Sequence, residues 1–200
     1  MASLQGRLRT RAAVFASMAV VALIIDQGTK YLALTALGDG RTVEVIPRLL
    51  SLTLVRNPGA SLGFGSGSTW MITLLAIVAC IVMIVLAART ISMRWTATLA
   101  LAFAGAFGNL IDRVAYADGF LNGKVVDFLD YGWSVGNVAD IYLVVAGVVF
   151  VVLILCGVPF GEKDLQAASS EVGASASPAA AASADAQDSD KLAGAGEHAR

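Results

Sequence analysis

Four long stretches of this chain carry almost no charge, and short polar clusters separate them. Residues 69–88 and residues 95–111 contain no charged side chain, and residues 138–157 contain one, Asp140. Residues 12–25 are too few to cross a bilayer, but extended past Asp26 and Lys30 to Leu37 the stretch reaches the about 20 residues that a transmembrane helix needs. Between the first two stretches, Val43 and Val45, then Leu50, Leu52 and Leu54 after Pro47, alternate at period two. Such alternation predicts short strands with one face toward lipid or the bundle. The expected fold is an all-α membrane protein with four transmembrane helices, about 12–37, 69–88, 95–111 and 138–157, and a small extracytoplasmic β-rich element.

Composition sharpens this picture. Hydrophobic residues make up 57% of the chain and charged residues 14%, far from the balance of a soluble domain. Residues 1–161 form the expected membrane domain, with eleven Lys and Arg against eight acids. Residues 162–200 hold three basic and seven acidic residues, are rich in Ala, Ser and Gly, and lack aromatics. A segment of that kind buries too little apolar surface to fold, so a disordered cytoplasmic tail is expected. Arg7, Arg9 and Arg11 ahead of the first span resemble the start of a secretory signal peptide. No A-x-A pattern closes the apolar stretch and three spans follow, so an uncleaved anchor is expected.

Orientation follows from basic residues beside the spans. Arg7, Arg9 and Arg11, and Arg89 and Arg94 around the second turn, occur without acids nearby. Both segments are expected to face the cytoplasm, together with both termini. Asp26, Lys30, Asn57, Asp112, Arg113, Asp127, Asn137 and Asp140 then gather at the outer ends of the spans. Polar residues with purely structural roles would be scattered instead.

The single histidine, His198, lies in the tail. A Ser-His-Asp triad, a Cys-His pair and a His-ligated zinc site are thereby excluded from the membrane domain. Cys80 and Cys156 sit at different depths and read as small apolar packing residues. Carboxylates remain as candidate chemistry. A charge within a membrane costs about 2.5–3.5 kcal/mol on insertion scales, which marks Asp140 as a functional candidate. Asp127 and Asp130 both precede the last span, and spacing alone leaves open which would join Asp140. Two neighbouring carboxylates cannot both ionise, and a pair sharing one proton can activate water against an amide. Asp26 and Lys30, four apart on a helix, can form an ion pair. Gly105 and Gly108 lie on one face of the third span and suit close helix packing, while Asn109 and Asp112 point a carboxamide and a carboxylate the same way.

Taken in order, Asp26-x-x-x-Lys30, Asn57-x-Gly59-Ala60-Ser61, Gly108-Asn109-x-x-Asp112-Arg113, Val126-Asp127-Phe128 and Asn137-x-Ala139-Asp140 resemble the motifs of the lipoprotein signal peptidases. These are the type II, aspartic, membrane-embedded signal peptidases, and the likeness runs from about residue 12 to 157. The resemblance implies that Asp127 and Asp140 are the catalytic pair. It also implies that Asp26, Lys30, Asn57, Gly59, Gly108, Asn109, Asp112, Arg113 and Asn137 bind substrate or support the site. The implied substrate is a prolipoprotein whose cysteine carries diacylglycerol, cut just before that cysteine. No metal or other cofactor is expected; membrane lipid is an expected partner, while nucleic acid and an obligatory protein partner are not. Gly136 and Leu62 depart from the family pattern, which commonly has aromatics there, and residues 115–124 lengthen the gap between Asp112 and Asp127. Competing expectations are a proton- or ion-coupled transporter with carboxylate relays, a scaffold that binds lipid or signal peptide, and a Ser-Lys protease using Lys30 or Lys124. The transporter expectation is weakened by the absence of internal repeats.

Overall fold

The structure, a computed structural model, describes residues 2–59, 66–166 and 170. In chain order it contains α1 (Ala2–Ala36), β1 (Thr42–Ile46), β2 (Leu50–Asn57), a 3-10 turn (Ser66–Ser68), α2 (Thr69–Arg89), α3 (Met93–Ala115), β3 (Val125–Asp130), β4 (Val135–Gly136) and α4 (Val138–Leu155). Four of these helices are long and apolar enough to cross a membrane: Arg7–Ala36, Thr69–Arg89, Met93–Ala115 and Val138–Leu155. The expected spans fall on them, although the first begins earlier than residue 12 and the third extends past residue 111.

The helices differ in what they face. Over the most apolar 18 residues of each span, α3 buries 56%, against 11% for α1 and α2 and 17% for α4. The least apolar helix is thus the hub, and the more apolar α2 and α4 present most of their side chains outward, as lipid-facing helices do. Small residues let the neighbours approach. A Cβ on Gly105 would lie 2.6 Å from the Ala139 carbonyl oxygen, and one on Gly108 would lie 2.5 Å from Asp26 Oδ2. Gly105 therefore admits α4 and Gly108 admits the polar end of α1. At the other end of α3, Trp95 Nε1 donates to the Val158 carbonyl at 3.0 Å and its ring meets Phe150 edge-on at 5.2 Å. Phe15 joins α1 to α3 through a ring contact with Phe103 at 5.4 Å, and Phe103 stacks on Phe107 of its own helix at 5.2 Å.

The strands form one antiparallel sheet in the order β1-β2-β3-β4. Its first two strands fall where the alternation predicts strands, although β1 is exposed along its whole length rather than on alternate residues. The β2–β3 pairing joins segments about 70 residues apart and sets Asp127 opposite Val55 and Val125 opposite Asn57. Ala33, Leu37 and Phe128, with Leu52, Leu54, Leu129 and Val138 against them, form the apolar cluster between the sheet and the end of α1.

Three features differ from expectation. The β-rich element is not confined to the first loop, because β3 and β4 supply half of its strands. The first four residues of β3 are all buried, so the segment lacks the period-two signature and reads in sequence as a prelude to the last span. Cys156 is exposed at the end of α4 rather than packed inside, whereas Cys80 is buried; both are free. Met1–Val158 form one compact unit and Pro159–Arg200 another. Within the second, residues 162–166 are helical, with Asp164 Oδ2 accepting from the Phe160 and Gly161 amides. Apart from Ser170, the rest of the expected tail lies outside the described residues.

Candidate active site

α4 begins with a reciprocal cap. Asn137 Oδ1 accepts from the Asp140 backbone N–H, and Asp140 Oδ2 accepts from the Asn137 N–H, both at 3.1 Å. This capping box pairs N–H groups at the helix start that would otherwise lack partners. It also fixes Asp140 by its own helix. A Cβ on Gly136 would lie 2.9 Å from Asp140 Oδ2, so glycine at this departure from the family pattern leaves room for the carboxylate.

Asn137 carries the arrangement to Asp127. Its Nδ2 donates to Asp127 Oδ1 at 2.6 Å and to Asn109 Oδ1 at 3.1 Å. Asn57 Nδ2 donates to Asp127 Oδ2 at 2.8 Å. Asn109 Nδ2 donates to Asp140 Oδ1 at 2.9 Å. Each oxygen of the two carboxyl groups therefore accepts an N–H, and the side chains of Asn137 and Asn109 bridge Asp127 to Asp140. The orientation of Asn109 follows from its partners: its Oδ1 receives Lys30 Nζ and Asn137 Nδ2, which leaves its amino group for Asp140.

Beneath the pair lies a buried charge cluster. Lys30 Nζ stands 3.0 Å from Asp26 Oδ2, 2.8 Å from Asp112 Oδ2 and 3.0 Å from Asn109 Oδ1. Asp26 Oδ1 accepts from the Ala139 N–H at 3.0 Å, a negative group at the positive end of α4. Asp112 Oδ2 accepts from the Val126 N–H at 3.1 Å and so holds β3 beside α3. The adjacent Asp112 and Arg113 diverge: Arg113 Nη2 donates to the Gly59 carbonyl at 2.6 Å and Nη1 to that of Asn109 at 3.4 Å. Gly59 in turn donates its N–H to Asn57 Oδ1 at 2.9 Å. Asp26, Lys30, Asp112, Arg113, Asp127 and Asn137 are all buried.

All eleven residues singled out in the sequence meet here, with Gly108 making room for Asp26. Asp130 and Asp118 do not join them. Asp130 accepts from Gly132 in the β3–β4 turn, and Asp118 pairs with Asn122 in the loop after α3. Ala60, Ser61 and Leu62 lie outside the described residues. Gln27 is a member the sequence reading missed: its Nε2 lies 3.0 Å from Asp26 Oδ2, 3.2 Å from the Gly108 carbonyl and 3.2 Å from Asp112 Oδ1. Its place between Asp26 and Lys30 was the available signal. Tyr131, whose ring stacks on Trp133 at 6.2 Å, follows in the β3–β4 turn, its phenol pushed up by burial and then by the Asp140 charge.

Asp127 is 1% exposed, and Asp140 is partly exposed. Burial, with the Asp140 charge adding to it, raises the Asp127 carboxyl to about 6 against the pull of the Asn57 and Asn137 amides. Burial disfavours the ionised form and a like charge reinforces it, so this carboxyl holds a proton well above the ordinary range. The pair can thus present one acid and one base.

The model of the Signal peptidase (SPase) II family matches residues 18–156. The chain is 71% identical over 165 residues to a lipoprotein signal peptidase of Bifidobacterium longum subsp. infantis, covering 82% of this chain and 91% of that one. It is 44% identical over 142 residues to a lipoprotein signal peptidase of Rhodococcus jostii, covering 70% and 71%. A solved structure described as "Bacterial membrane enzyme structure by the in meso method at 2.3 A resolution" superposes with a TM-score of 0.64 at 33% identity, covering 72% of this chain and 88% of that one. With these matches spanning all four helices and the carboxylate pair, the chain belongs to the signal peptidase II family and is a bacterial membrane peptidase of signal peptides.

Proposed function

We propose that this signal peptidase is an aspartic endopeptidase in which Asp127 and Asp140 cleave diacylglyceryl-modified prolipoproteins just before the lipidated cysteine. The observation that carries the reading is the bridge itself: two carboxyl groups, one from β3 and one from α4, share the amides of Asn137 and Asn109. Family membership supports the substrate class, since the relatives carry the name lipoprotein signal peptidase. It gives no support to a transporter.

The chemistry starts from a singly protonated pair. The ionised carboxylate takes a proton from water as the water oxygen attacks the scissile carbonyl, and the protonated one donates a hydrogen bond to the oxygen that gains charge. Proton transfer to the leaving amine then closes the cycle. The more deeply buried Asp127 is the better holder of the proton, which leaves Asp140 to act as the base. Lys30, Asp26, Asp112 and Arg113 hold Asn109, β3 and the Gly59 turn in place. Neither metal nor organic cofactor enters this scheme. The cationic Arg89 and Arg94 lie at the opposite end of α3 from the site, and cytoplasmic positive charge would put the site at the outer face, both termini inside and the sheet extracytoplasmic. Residues 1–161 form the peptidase domain in this reading.

The test is cleavage of a lipidated prolipoprotein by purified protein. Asp127→Asn and Asp140→Asn should each lose turnover while still binding the substrate, whereas Asp118→Asn and Asp130→Asn should keep most of it. Binding without turnover in the wild type would instead describe a scaffold, and an active Asp127→Asn beside an inactive Asp130→Asn would move the pair.

A further inference from the structure

A polar cleft, of about 350 Å³, lies beyond the end of α3, lined by Arg56, Tyr116, Asp118, Asn122 and Lys124 among others. We propose that it binds the anionic phosphodiester headgroup of a membrane phospholipid, held between Arg56 and Lys124. The assignment does not depend on the catalytic reading.

The loop that builds this cleft, residues 115–124, is the stretch whose length set this chain apart in sequence. It does not project freely. Buried Thr73, a full turn inside the α2 span, donates its hydroxyl to the Leu121 carbonyl at 2.8 Å. Gly123 is held so close to Arg113 that a Cβ there would collide with the Arg113 backbone. Asn122 closes the loop on itself, accepting from the Asp118 and Gly119 amides and donating to Asp118 Oδ1 at 2.7 Å. Anchored to a residue inside one span and to the end of another, the loop sits at the depth where hydrocarbon gives way to headgroups. Its exposed side chains suit that depth. Phe120 is 80% exposed and Val114 is exposed, while Tyr116 is the kind of amphipathic ring that concentrates at membrane interfaces.

The charges suit an anion. Alternation along β2 turns Arg56 away from Asn57, whose side chain serves Asp127, so the cleft and the carboxylate pair lie on different faces of the strand. Arg56 rests its guanidinium over the Tyr116 ring, with Cζ 4.2 Å from the centroid, which orients its N–H edge without consuming it. Two cations and the Asp118 carboxylate give the cleft a formal charge of +1, matching a headgroup of −1. That net charge favours an anionic phosphoglycerol-type lipid, from whose hydroxyls Asp118 can also accept, over a net-neutral choline lipid.

The experiment uses the full chain extracted from vesicles of phosphatidylglycerol and phosphatidylcholine in equal parts, with retained lipid counted by native mass spectrometry. The wild type should retain phosphatidylglycerol preferentially, Arg56→Gln/Lys124→Gln should lose that retention by about thirtyfold, and Arg56→Lys should keep most of it, since each cation near a membrane surface is worth a similar increment. Prolipoprotein cleavage in detergent, unchanged in these variants, shows that they are folded. Equal retention of both lipids by the wild type, or undiminished phosphatidylglycerol in the double variant, overturns the proposal. Displacement by equimolar inorganic phosphate makes the cleft a site for free anions and overturns the lipid assignment. Undiminished lipid with lost turnover of a substrate acidic after its cleavage point assigns the cleft to peptide and overturns it too.

Discussion

Asp140 serves two purposes with one side chain: one oxygen closes the cap of α4 and the other accepts from Asn109, which is bonded in turn to the Asn137 amide that holds Asp127. Asp127 has its own constraint, since its carboxyl is raised to about 6 by burial first and by the Asp140 charge after. The sign of the pH dependence follows. A carboxyl that must enter the reaction protonated loses activity as pH rises through its folded value, so kcat/KM should fall on the alkaline side of about 6. Bound substrate strips more water from the site, which raises the carboxyl further, and the alkaline limb of kcat should therefore lie at higher pH than that of kcat/KM. Initial rates across the acid and neutral range test this, and a kcat limb at lower pH than the kcat/KM limb would sink the assignment of the proton to Asp127. The same raised value makes folded protein less stable relative to unfolded as pH climbs from the ordinary carboxyl range through about 6, and Asp127→Asn should remove that slope from a melting curve. The sequence already exposed these side chains, because a carboxylate beside an apolar run costs too much to persist without a use. Spacing alone left Asp130 open beside Asp127, and only the family resemblance implied Asp127. Strand register across about 70 residues, which local pattern does not encode, sets Asp127 beside Asn57 and Asn137 and leaves Asp130 to the β3–β4 turn. Gln27 went unread for a different reason: a neutral amide costs little at a helix end and so attracts no notice until its three acceptors are seen.

Among the elements, α3 has the most to lose from substitution. Gly108 is in contact with Asp26 and Ala139, so Gly108→Ala forces either the α1 carboxylate or the α4 start to move. Overpacking of this kind costs about 1–3 kcal/mol, and here it also displaces the acceptor of the Ala139 N–H. A lowered melting temperature with turnover reduced more than KM is expected, whereas Gly147→Ala, which meets nothing within 4 Å, should be silent. Lys30→Met leaves Asp26 and Asp112 buried without their shared cation. Breaking a buried pair on one side costs about 3–5 kcal/mol, so this variant should be recovered in low yield, and Asp26→Asn added to it should restore part of the yield. Failure of that second change to help would mean that Lys30 acts on Asn109 alone. The helices were legible because their lengths and lack of charge leave one environment for them. β1 and β2 were legible by alternation. β3 and β4 were not, as a fully buried strand and a two-residue strand carry no period.

At the scale of the whole molecule, every member of the candidate site comes from residues 26 to 140, within the unit Met1–Val158. Ending the chain at Gln166 should therefore leave specific cleavage activity nearly unchanged, measured per folded protein in detergent; a complete loss at equal abundance would reveal a role for the remaining residues. The pairing of β2 with β3 has a consequence in time as well as in space. A ribosome delivers Asn57 early, Asn109 later, and Asp127, Asn137 and Asp140 last, so a chain that has inserted only its first three spans owns no complete site. If Asp127 and Asp140 cleave as proposed, hydrolytic competence arrives only when the fourth span enters and its cap fixes Asp140.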